Sequence, residues 1–75
     1  MNGTRRKQIA EQAEAVRNSL EIIETINEDE QAYLDNIPEN MQGGEKHAQS
    51  DLALQSLADV INSLTEAVEQ LEGIE

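Results

Sequence analysis

The stretch whose reading decides the fold is Leu52–Ile74, LALQSLADVINSLTEAVEQLEGI. Within it Leu54, Leu57, Ile61, Leu64, Val68 and Leu71 recur at alternating steps of three and four, an unbroken a/d heptad series. Ala53, Val60, Ala67 and Ile74 flank that series at the neighbouring g positions. About three apolar positions in seven is the width of a helix packed in a bundle, broader than the seam of a bare two-stranded coil. The spacing predicts a helix over residues 45–72, with Gly73 as a weak stop signal.

Working back toward the N-terminus, residues 36–44 read NIPENMQGG. Pro, Asn and a glycine pair there are turn chemistry, and residues 38–41 could make one helical turn inside the loop. Before the loop, Ile9, Ala13, Val16, Leu20 and Ile23 repeat the same spacing, and Leu34 and Ile37 rejoin it. Thr4 is a candidate N-cap, and Pro38 disfavours helix in the residue before it. A first helix over residues 4–35 follows, about 48 Å long at 1.5 Å per residue. Two long helices joined by a short loop form an antiparallel hairpin in a single all-α domain. A lone hairpin leaves half of each broad stripe uncovered. Pairing into a four-helix bundle as a homodimer would cover it; otherwise the uncovered stripe is itself a target site.

Composition narrows the function classes. In 75 residues Tyr33 is the only aromatic and cysteine is absent, so the core is aliphatic and no disulfide can staple it. A small aliphatic core calls for a second chain. No apolar run approaches the roughly 20 residues that cross a bilayer, and no signal-peptide core follows the basic start. A soluble protein of the cytoplasm is expected. Sixteen acids against five bases give a net charge of -11, which repels nucleic acid and anionic membrane and favours basic protein surfaces.

The charge is unevenly placed. Residues 18–45 hold eight acids and no base. Glu14, Glu21, Glu24, Glu28 and Asp35 fall on one side of the first helix, away from its apolar stripe, spaced about 5 to 10 Å apart along the rise. Duplex DNA presents one charge per roughly 1.7 Å of axis, so such rows could imitate a phosphate backbone coarsely. The plainer reading is a solvated face. Ordinary exposed helices, however, intersperse bases for i,i+4 support, and this one does not.

Arg5, Arg6 and Lys7 sit where a helix dipole disfavours cations. They read either as a basic patch for a ligand or as electrostatic closure against Glu69, Glu72 and Glu75 at the end of the second helix. Asn27 and Glu30 interrupt the apolar stripe of the first helix, either to control register or with Glu30 escaping to the stripe's edge. A metal site there is not expected, because di-metal bundles use Glu-x-x-His pairs and the sole histidine, His47, lies at the loop end. Ile22, Ile26 and Tyr33 form a second apolar edge. Together with Leu57, Val60, Leu64 and Ala67 they are the candidate oligomer or partner interface. With one histidine, no cysteine and no phosphate loop after a strand, neither an enzyme nor a bound cofactor is expected.

At residues 4–9 (TRRKQI) and 29–39 (DEQAYLDNIPE) the chain resembles small acidic hairpin proteins encoded by bacteriophages and integrated mobile elements. Tyr33, Asn36, Pro38 and Glu39 carry the loop pattern. The resemblance implies a phage or mobile-element accessory protein in a bacterial host cell and brings no established biochemical role. Small acidic phage proteins include DNA mimics that block host defence enzymes and binders of host transcription or replication factors. The expectation is therefore a protein that inhibits or regulates a host protein with a basic surface. The alternative is a structural module that completes a helical bundle.

Overall fold

The computed structural model describes residues 1–74, and among these every regular element is helical. Helix α1 spans Gly3–Asp35, a single 3-10 turn spans Glu39–Met41, and helix α2 spans Glu45–Glu72. The start of α1 is capped by Asn2, in extended conformation, whose Oδ1 accepts the Arg5 backbone N–H at 2.9 Å. Thr4, the cap suggested by sequence, already lies inside the helix. Asn was the stronger candidate on chemistry, since its short side chain reaches the third following N–H.

Local rules also set the far end of α1. Asn36 folds back on the last turn, its backbone N–H donating to Ala32 O at 3.1 Å and its Nδ2 to the same oxygen at 2.8 Å. Pro38 then holds extended backbone and opens the 3-10 turn, with Met41 N–H donating to Pro38 O at 2.8 Å. Gly43 takes φ +86°, a left-handed conformation that favours glycine, and thereby turns the chain into α2. A Cβ on Gly44 would stand 3.1 Å from Met41 O, so the pair of glycines lets the loop close tightly.

Three contacts fix how the helices lie. Ser50 Oγ donates to Glu30 Oε2 at 2.8 Å near the loop. Arg17 forks onto Glu72 farther along. Ile9 and Ala13 share a hollow with Leu71 and Ile74 at the open end. Residues ascending one helix thus meet residues descending the other. The body measures 60 × 14 × 13 Å. Its radius of gyration is 17.3 Å, against about 11 Å for a globular chain of this length.

That shape limits the core. Among the described residues only Ala13, Leu20 and Val68 are buried apolar residues, with Val68 wholly covered. Ile9, Val16, Ile23 and Leu34 on α1, and Leu54, Leu57, Ile61, Leu64 and Leu71 on α2, are half-buried on the facing stripes. Two rods touch along a line, so each a/d side chain is covered on one side and open on the other. No helix among the described residues is long and apolar enough to cross a membrane.

Leu20→Ala should cost about 2 kcal/mol, the low end for a buried leucine, because a two-helix contact can partly collapse onto the gap. Leu52→Ala, at a site 63% exposed, should stay within about 0.5 kcal/mol. Urea unfolding followed by circular dichroism measures both. Equal costs at the two positions would refute the placement of the core.

Candidate functional site

The helical period and the cross-helix contacts divide the rod into two flanks. Arg17 and Glu72 mark the first. Both side chains lean toward the N-terminus of their own helix, and in an opposed pair those leans converge, which lets residues at different heights meet. On α1 this flank presents Glu14, Glu21, Glu24, Glu28 and Asp35, all exposed. On α2 the same side carries Asp51, Glu69 and Glu72, also exposed. The five acids singled out in sequence are therefore joined by three from the second helix. Those three escape a reading of α1 alone, because only the packing brings them to the same side.

Arg6 lines the same hollow as Glu14 and Glu72, Lys7 stands one heptad before Glu14, and a third base on this flank, Arg17, is engaged. Its Nε donates to Glu72 Oε2 at 3.3 Å while its Nη2 donates to Oε1. The hydrogen bonds to Glu72 hold the guanidinium above its ordinary pKa. The Glu72 charge adds to this, with smaller help from Glu21 and Glu69 against weak desolvation. Stability from such a raised group is present below its unfolded pKa and lost only as pH rises through the folded one, far into the alkaline range. The pair is therefore intact at neutral pH. Both partners are about half exposed, so it contributes little to stability.

This pair also corrects the sequence reading of the basic start. Closure between the helices runs through Arg17, and among the described residues Arg5, Arg6 and Lys7 form no ion pair with Glu69 or Glu72. The third acid of that expectation, Glu75, lies outside the described residues. What remains at the open end is dipolar: the positive N-terminal end of α1 stands beside the negative C-terminal end of α2, whose last turn holds no base.

The opposite flank has a different chemistry. Tyr33 on α1 lines one hollow together with Gln49 and Ala53 on α2, which identifies the sides that meet there. Along it α1 presents Ala15, Ser19, Ile22, Ile26 and Tyr33, and α2 presents Ala53, Ser56, Val60 and Ala67. None is charged. Ile22 is 62% exposed, Ile26 50%, Tyr33 49% and Val60 42%. Thus Ile22, Ile26, Tyr33, Val60 and Ala67, chosen in sequence as interface candidates, lie together on an open surface. Leu57 and Leu64 do not join them; they are half-buried on the stripe that faces α1. At the loop end this flank runs into an open hollow of about 490 Å³ lined by Tyr33, Ile37, Pro38, Met41 and Lys46.

Between the flanks, Glu30 keeps its place in the apolar stripe by accepting the hydroxyl of Ser50, which is 4% exposed. Sequence alone did not single out Ser50, although it stands four residues before Leu54 and so continues the heptad. Its polar side chain hid it from a search for apolar periodicity. Ser50→Ala should leave that carboxylate oxygen without its donor and cost about 1 kcal/mol in urea unfolding. Adding Glu30→Leu should restore most of the loss, since an apolar pair removes the stranded group. Additive losses in the double variant would contradict the pairing.

Compared with known proteins, the chain matches no family model, and neither a curated protein nor a solved structure shows significant similarity to it.

Proposed function

We propose that this chain is a small, acidic, non-catalytic binding protein of phage type, acting in the cytoplasm of a bacterial host. In this reading it is an antiparallel helical hairpin that pairs into a four-helix bundle as a homodimer. Its charged flank docks on a host protein that has a basic, nucleic-acid-binding surface and inhibits or regulates that protein. The observation that carries the reading is the grouping of eight exposed carboxylates on one flank, whose bases are Arg6 and Lys7 at the open end and Arg17, which Glu72 engages.

Physical arguments support an acidic face as a recognition surface. Carboxylates about 5 to 10 Å apart along rigid helices hold their spacing without an ordering cost on binding. Uncompensated charge also steers a basic partner and speeds encounter. A DNA-binding enzyme or defence factor presents such a surface to phosphates, and a row of carboxylates occupies it without serving as substrate. The resemblance of the loop around Tyr33, Asn36 and Pro38 to phage-encoded acidic hairpins points to the same context.

A second reading is favoured by the exposed apolar edge of Ile22, Ile26, Tyr33 and Val60: a structural module whose helices complete a bundle with itself or a partner. The two readings respond oppositely to salt. Proteins retained from a bacterial lysate by the immobilised chain should elute between low and moderate salt, where the screening length falls to about 10 Å. The triple variant Glu21→Lys, Glu24→Lys and Glu28→Lys should keep its helicity and retain none of them. Retention that ignores both salt and the triple variant, but is abolished by Ile26→Asp or Val60→Asp at exposed positions that leave helicity unchanged, would replace the first reading with the second.

A further inference from the structure

We propose that the exposed apolar edge of Ile22, Ile26, Tyr33 and Val60 seats one amphipathic helix of a partner protein, whose apolar stripe is bordered by lysine or arginine. The proposal goes beyond both readings above and is independent of what the carboxylate-rich flank binds.

The period of α1 supplies the first argument. Eleven residues make almost a whole number of helical turns, so Glu11, Ile22 and Tyr33 stand one above another on this edge. Ile26 and Asp29 fall on the same side, one and two turns beyond Ile22. Ile22, Ile26 and Tyr33 follow one another at steps of four and seven, the spacing by which one helix reads another in a groove. The row they form is interrupted by two exposed acids, Glu11 and Asp29. Those acids are eighteen residues apart, which is about five turns or 27 Å along the helix.

Charge selects the kind of helix. The chain has five bases, Arg5, Arg6, Lys7, Arg17 and Lys46. Arg5 lines a hollow at the open end of this edge and Lys46 one at the loop end, while Arg17 is held by Glu72 on the other flank. Between those ends, among the described residues, the edge carries Glu11, Asp29 and Glu30 and no base. Glu30 is already satisfied by Ser50, so Glu11 and Asp29 are the carboxylates open to a partner. A helix with cations about five turns apart and apolar side chains between them meets both acids and covers the isoleucines.

Size selects one helix. The body is 14 × 13 Å in section, and a helix with its side chains is about 10–12 Å across. Laid between α1 and α2, a third rod covers the side of the facing stripes that two rods leave open. A second copy of this chain competes for the edge, and it brings a further net charge of -11. A basic helix brings the opposite sign and displaces that copy.

The probe is a synthetic peptide of four heptads with leucine at a and d and lysine at e and g, beside its twin with glutamate at e and g. Sedimentation at low salt should show one chain with one lysine peptide, no chain paired to its copy, and no binding of the glutamate peptide. Two double variants change the net charge equally: Glu11→Lys with Asp29→Lys on the edge, and Glu21→Lys with Glu28→Lys on the other flank. The edge pair should weaken binding about tenfold, and the flank pair by no more than about threefold. Ile26→Ser, at a site 50% exposed, should also weaken it about tenfold while the helical circular dichroism is kept. Equal losses in the two double variants, with Ile26→Ser binding like the wild type, would mean that lysine follows total charge and would overturn the proposal. A wild-type chain that stays paired to its own copy and binds neither peptide would give the edge to that copy. The proposal would then fall and the bundle reading would stand.

Discussion

Everything in this molecule depends on a line of contact between two helices that is too narrow to enclose what it gathers. The a/d residues of α1 and α2 meet along their length, yet among the described apolar residues burial is complete only at Val68 and nearly so at Ala13 and Leu20. The cause is geometric. A helix with three apolar positions in seven needs neighbours on more than one side, and a single partner supplies one. Apolar surface left in water forgoes about 25 cal/mol per Å² of the stabilisation that burial would give, and the chain has no disulfide to compensate. The incomplete core and the exposed Ile22, Ile26 and Val60 are two consequences of one arrangement.

Charge is sorted by the same packing. Facing stripes fix which flank of α1 shares a side with which flank of α2, and the Arg17–Glu72 pair marks the side where carboxylates from both helices collect. A flank crowded with carboxylates beside one with exposed Ile22, Ile26 and Val60 is the result.

Much of the helical class was legible in sequence because it rests on local, periodic information. The 3-4 spacing through Leu54–Leu71 needs no knowledge of the rest of the chain, and Pro38 with Gly43–Gly44 marks the break between the helices by backbone chemistry alone. The cap was misread because Thr4 and Asn2 are both competent oxygens close to the helix start, and one residue of extended backbone decides between them. The site was harder to see. Which base meets Glu72 depends on the register and lean of side chains 55 positions apart, so nothing in the sequence singles out Arg17, and the basic triplet is the more visible candidate. Ser50 was hidden for a related reason: its partner Glu30 is supplied by the other helix. Leu57 and Leu64 were grouped with Val60 because a broad stripe read on one helix does not say which of its edges the neighbour will cover.

The most direct test of the central claim is the dependence of thermal unfolding on protein concentration, followed by loss of helical circular dichroism. If a second chain completes the core, association is linked to folding and the unfolding midpoint must rise as concentration increases. A single sharp transition at a midpoint unchanged by dilution would contradict the account, because it would mean that two helices alone enclose all the apolar surface the fold requires.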